Sequence, residues 1–122
     1  MLGRVTRSPD IRRIVADGRR ASRGPLTVIG LATGPTHPDS RVGVIVGRKF
    51  GGAVQRNRIK RRLRVLLRAH AEAIPPGWDL LVLPRTSAQQ WTFGALSDAF
   101  KTLLTAWRGD LDTGSRAPGL PR

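Results

Sequence analysis

The chain contains no cysteine, which excludes disulfide staples, thiolate catalysis and cysteine-based zinc sites. Histidine is nearly as scarce. His37 falls in a loop and His70 on a helix, with no metal-ligand spacing between them. The acids number 8 (Asp10, Asp17, Asp39, Glu72, Asp79, Asp98, Asp110 and Asp112) and are scattered singly. Two-metal phosphodiester hydrolysis needs several carboxylates converging on Mg2+, so the polypeptide alone is a poor candidate for a nuclease. No apolar run approaches membrane-spanning length. The opening "MLGRVTRSPD" lacks the apolar core of a signal peptide, so a cytoplasmic location is expected.

What the chain has in excess is positive charge. Lys and Arg total 22, the formal net charge is +14 and the sequence pI is near 12.0. Such a field attracts polyanions, whether nucleic acid, anionic lipid or an acidic protein, and says nothing about fold. Most of the cations are arginine, which suits bidentate phosphate contact and stacking. At 122 residues with 39% hydrophobic content, one domain with one modest core is expected. That domain should span residues 1–108. The Gly/Pro-rich end, 109–122, reads as a disordered tail.

"SPDIRRIVADG" predicts a short first helix, with Ser8 as cap, Pro9 at its first position and Gly18 ending it in a left-handed conformation. Ile11, Ile14 and Val15 give it one apolar face. "RRASR", Arg19 to Arg23, fits a short edge strand and "PLTVIGLA", Pro25 to Ala32, a second strand. A loop, Thr33 to Ser40, leads to the strand "RVGVIVGRK". Val42, Val44 and Val46 share one face of that strand; Gly43, Ile45, Gly47 and Lys49 share the other. Two glycines on one strand face let another backbone or a ligand approach closely.

A long helix is predicted from about Ala53 to Ala73, with Ile59, Leu63, Leu66, Leu67 and His70 on one side. "IPPG" stops it. "WDLLVLP", Trp78 to Pro84, is apolar enough for a central strand. A last helix from about Thr92 to Arg108 carries Phe93, Leu96, Phe100, Leu103, Leu104 and Trp107 at helical spacing. The order of elements predicts an α+β two-layer domain. Helices with single apolar stripes would cover one sheet face and leave much of the other to solvent or a partner.

The long helix carries the charge. Asn57, Arg58, Lys60, Arg61, Arg62, Arg64 and Arg68 fill its polar side, and no acid occurs between Asp39 and Glu72. Like charges one turn apart oppose an isolated helix, and a bound polyanion reverses the sign of that effect. Nucleic acid fits this footprint better than a solvated surface. A membrane-surface helix is less apt, because the apolar side lacks Trp or Phe. No turn-linked helix pair precedes the basic helix, so helix-turn-helix reading has no support. A strand and a Gly-Gly turn before the helix suit irregular RNA better than DNA, though composition alone does not decide between them.

"RVGVIVGRKFGGAVQRNRIKRRLRVLLR", Arg41 to Arg68, resembles the signature of the protein component of bacterial ribonuclease P. That family shows a strand ending in Lys-Lys or Arg-Lys, then G-x-A-V-x-R-N-R-x-K-R-x-x-R. Arg48, Lys49, Gly51, Ala53, Val54, Arg56, Asn57, Arg58, Lys60, Arg61 and Arg64 stand in register with it. The similarity extends more loosely to "PDIRRIVADGRR", "WDLLVLPRTSA" and the final helix. It implies a central mixed four-stranded sheet with three helices and a left-handed βαβ crossover, where the default hand is right.

The resemblance also implies a protein that assists a catalytic RNA in removing the 5′ leader from precursor tRNA. The partners implied are the catalytic ribonuclease P RNA and the single-stranded leader, with no membrane and no protein partner required. Mg2+ would serve the holoenzyme, held mainly by the RNA, with none assigned to the polypeptide and no catalytic residue in it. The RNA-subunit candidates are Arg48, Lys49, Arg56, Asn57, Arg58, Lys60, Arg61, Arg64 and Arg68. The leader candidates are Ile11, Arg13, Val15, Ile29, Arg41, Gly43, Ile45 and Gly47. Family members commonly carry aromatics where this chain has Ile11, Val15 and Ile29. Leader contact would therefore lean more on van der Waals contact and on Arg13, Arg41 and Arg48, whose guanidinium planes can stack as well as carry charge. By periodicity, Ile11 and Val15 fit the core equally well. The alternatives are a ribosomal or other structural RNA-binding protein, which would share the charge and the helix, and an autonomous nuclease.

Overall fold

The computed structural model describes residues 3–5, 7–32 and 40–113, with side chains through residue 108. The elements run β1 (Gly3–Arg4), α1 (Ser8–Asp17), β2 (Arg19–Arg23), β3 (Leu26–Ala32), β4 (Arg41–Val44), α2 (Ala53–Ala69), β5 (Trp78–Pro84) and α3 (Phe93–Thr113), with short 3-10 turns at Arg48–Phe50, Ala71–Ala73 and Thr86–Gln90. The strands form one sheet in the order β1-β4-β5-β3-β2. β1 and β5 pair parallel with β4, whereas β3 pairs antiparallel with both β5 and β2. The class is α+β, as expected. The sheet has five strands rather than four, because Gly3–Arg4 adds to the outer edge of β4.

"WDLLVLP" is the central strand, and its apolar residues serve both faces. Leu80 and Val82 join Val28, Ala21, the buried side of α2 and the inner side of α3 in the main core. Leu81 and Leu83 point the other way, as the two-residue period of a strand requires, and join Val5, Ile14 and Ile29 under α1. So α2 and α3 cover one face while α1 lies on part of the opposite face. Each large side chain buried in these layers contributes about 1.5–3 kcal/mol, and Phe100 and Trp107 are the bulkiest of the aromatic ones. The Trp107 ring meets that of Trp78 edge-on at 5.0 Å, fixing α3 on the sheet.

Several boundaries differ from the sequence reading. Ser8 is the first helical residue of α1, not its cap; Arg7 occupies the cap position and makes no side-chain cap bond. Gly18 is extended (φ −74°, ψ 161°), because the chain runs straight into β2. Its lack of a side chain matters for space instead, since a Cβ there would lie 2.6 Å from Ile29 Cγ2. β4 ends at Val44, five residues short of Lys49, because the chain then turns to bury Phe50. α2 ends at Ala69, and residues 71–73 tighten into a 3-10 turn before Pro75. α3 continues through residue 113. The rest of the predicted tail and most of the predicted loop, 33–39, lie outside the described residues.

Candidate nucleic-acid interface

α2 is anchored by Ile59, Leu63, Leu66 and Leu67, all buried. At 100° per residue the remaining positions must leave the core surface on both sides of that stripe. Asn57, Arg58, Arg61, Arg64 and Arg68 are exposed, while Arg56, Lys60 and Arg62 are half-buried. Among the described residues no carboxylate pairs with any α2 cation. The first turn of the helix holds no acid either, so the positive end of its dipole adds to the field. Arg48 and Lys49 extend the patch from the preceding 3-10 turn, where both are exposed. That turn is pinned from the far side of β5. Gln89 Nε2 donates to the Phe50 carbonyl at 2.7 Å, and Thr86 Oγ1 donates to that of Lys49 at 3.3 Å.

A groove of about 430 Å3 runs along the β1–β4 side of the sheet. Ile11, Gly43 and Ile45 from the leader set line it, together with Arg64 and Arg68 from the RNA-subunit set. Two groups separated in sequence thus meet in one concavity. Gly43 meets a backbone there, as its missing side chain allows: a Cβ on it would lie 2.9 Å from the Val5 carbonyl oxygen. Gly47 is exposed with nothing within 4 Å of where a side chain would start.

Other leader candidates are placed differently. Ile29 is 0% exposed beneath α1 and packs with Ile14 and Leu81; its side chain presents nothing to a ligand. Of the two residues that also fit the core, Ile11 is half-buried against that cluster, whereas Val15 is 37% exposed. Arg41 is bound to its own chain. Its Nε and Nη2 donate to the two carboxylate oxygens of Asp79 at 2.9 and 2.6 Å, and its Nη1 lies 3.6 Å from Asp10. The hydrogen bonds that Arg41 donates to Asp79 raise its pKa above the ordinary value. Arg13, half exposed, stands 3.6 Å from Asp10 and 3.7 Å from Asp79. Asp79 is itself fully buried. The guanidinium plane expected of Arg41 is therefore spent on a carboxylate.

The sequence reading missed two features of the surface. Phe93, assigned to the apolar stripe of α3, is 39% exposed, and Val65, left unassigned, is 49% exposed. Val65 falls outside the angular range of the α2 stripe, and that was a legible signal. Among the described residues no group of three or more His, Asp or Glu could hold a metal ion, and no helix is long and apolar enough to cross a membrane.

The family described as Ribonuclease P matches residues 2–108. The chain belongs to the ribonuclease P protein family. It is similar to the ribonuclease P protein component of Acidothermus cellulolyticus, at 38% identity over 83% of this chain and 84% of the relative. Against the protein component of Clavibacter michiganensis it is 39% identical over 72% of this chain and 79% of the other. The solved ribonuclease P protein from Thermotoga maritima superposes with a TM-score of 0.74 at 30% identity, covering 83% of this chain and 94% of that one. Membership makes the chain a subunit of a tRNA-processing ribonucleoprotein endoribonuclease, and the ribosomal-protein alternative is not favoured.

Proposed function

We propose that α2 and the Arg48–Phe50 turn bind the catalytic RNA of ribonuclease P, and that the groove beside β4 takes the single-stranded 5′ leader of precursor tRNA, in the cytoplasm. The observation that carries this reading is the division of carboxylates. Asp10 and Asp79 are paired with Arg13 and Arg41, whereas no carboxylate among the described residues pairs with an α2 cation. An RNA backbone supplies the missing countercharge and releases condensed ions as it binds. In the groove, Ile11 and Ile45 offer an aliphatic floor and Arg64 and Arg68 a cationic wall. Such a surface holds an unstructured strand without reading its bases. Ile29 and the Arg41 guanidinium have no part in it.

Mg2+ belongs to the RNA in this reading. Asp10 and Asp79 are both engaged by Arg41 and Arg13, so they do not form a free carboxylate pair for a divalent ion. Reconstitution tests the proposal. The chain mixed with its cognate RNA should raise precursor-tRNA cleavage at low Mg2+, because bound cations screen the repulsion between RNA and substrate. Freed of RNA, the polypeptide should not cleave. Robust cleavage by the RNA-free chain would overturn the division of labour.

A further inference from the structure

We propose that Phe93 and Val65 form a docking site for one unpaired base of the RNA bound along α2, an inference that rests on the RNA-binding reading above. The two side chains floor a depression of about 440 Å3 whose other walls are Arg58, Arg61 and Arg62. Scattered exposed apolar residues are ordinary on protein surfaces. Here, however, an aromatic ring and a neighbouring valine lie together, rimmed by three arginines and no acid. Phe93 is the one aromatic among the exposed large hydrophobics of the described residues. An apolar floor with a purely cationic rim matches a nucleotide: the base stacks on the ring and the flanking phosphates meet the guanidinium groups.

The site is held in place. Arg62 Nη2 donates to the Trp91 carbonyl at 2.7 Å, tying α2 to the entrance of α3 two residues before Phe93. The Thr92 hydroxyl accepts from the Ala95 N–H at 3.1 Å and caps the helix that Phe93 begins. The backbone that carries Phe93 is thus tied to α2 through Arg62. Continuity with α2 selects the occupant. Arg58 and Arg61 belong both to this rim and to the basic side of α2, so an RNA strand on the helix passes over the depression. A paired base keeps its faces in the duplex, so the occupant is unpaired.

The experiment uses the full chain and its cognate catalytic RNA, with affinity measured across a salt series and the complex mapped by base-specific chemical probing. Phe93→Leu should lose affinity about tenfold with its salt slope unchanged, since a stack is removed and no phosphate contact. Phe93→Tyr should bind like the natural chain. One unpaired nucleotide should be protected by the natural chain and Phe93→Tyr, and unprotected with Phe93→Leu. Equal affinity and equal protection for all three overturn the proposal. Lost self-association in Phe93→Leu with RNA binding intact also overturns it and gives the patch to a second copy. Arg61→Ala separates this from the parent reading. If Arg61→Ala weakens binding and lowers the salt slope while Phe93→Leu does nothing, only the base site fails. If Arg61→Ala is also silent, the RNA-binding role of α2 fails with it.

Discussion

Arg41 and Arg61 are the same residue with opposite surroundings. Arg41 is 19% exposed and forks onto a buried carboxylate; Arg61 stands in solvent on a helix that carries no acid. The first is neutralised by its own chain, and the second keeps its charge for something else. In a chain of net charge +14, an arginine count says little about the interface. In the proposed reading, what marks an RNA-facing arginine is the absence of an internal carboxylate.

The largest effect should come from breaking the paired side. Arg41→Ala leaves Asp79 buried with only the 3.7 Å contact to Arg13, and stranding one member of a buried pair costs about 3–5 kcal/mol. Chemical denaturation should show that loss. Replacing both partners, as Arg41→Met with Asp79→Leu, should restore much of it, because an apolar pair of similar volume avoids the desolvation of two charges. Since the Arg41 pKa is raised, the stability that arginine contributes is present below the ordinary arginine range and vanishes only as pH climbs through the raised value. The deficit of Arg41→Ala should therefore not be rescued by moderately alkaline buffer. A double variant no more stable than Arg41→Ala would show that the pair is not what the buried carboxylate depends on.

Next comes the unpaired side. Arg58→Ala, Arg61→Ala and Arg64→Ala should leave the unfolding midpoint where it was, since none of these side chains has a carboxylate partner among the described residues. Each should weaken binding to the catalytic RNA and lower the salt slope by about one. The comparison breaks if these variants unfold early or bind RNA with an unchanged slope.

How much of this was legible depends on range. The bounds of "WDLLVLP" could be read because a central strand is apolar on both faces, and α2 begins at the expected Ala53 because its apolar stripe is periodic. The basic side of α2 follows from the same rotation. β1 could not be read: two residues carry no period, and they form a strand only because β4 lies alongside. The Arg41–Asp79 pair was equally hidden. The two residues are 38 apart and meet because the parallel register of β4 and β5 sets them opposite each other. That register also decides the fate of Arg41 as a leader candidate. Ile29 was misplaced for a related reason, since a strand residue's exposure on one face depends on whether a helix, here α1, covers it. Phe93 went the other way, because helical spacing cannot tell the last buried turn from the first exposed one.

Arg13 is where the two kinds of arginine meet, and it should give the smallest effect. Half exposed, it lies 3.6 Å from Asp10 and 3.7 Å from Asp79, while Arg41 already satisfies Asp79 through both oxygens. An exposed ion pair at such distances contributes under about 1 kcal/mol. Arg13→Ala should therefore cost little stability, far less than Arg41→Ala. Its charge is offset by two acids, so it should also contribute little to holding RNA. Binding of precursor and mature tRNA to the reconstituted holoenzyme across a salt series separates its possible roles. If carboxylate pairing alone assigns an arginine to structure, Arg13→Ala weakens precursor and mature tRNA equally or not at all. A selective loss of the precursor advantage would instead place Arg13 against the leader. Half exposure would then have to be set beside pairing in deciding which arginines of this chain touch RNA.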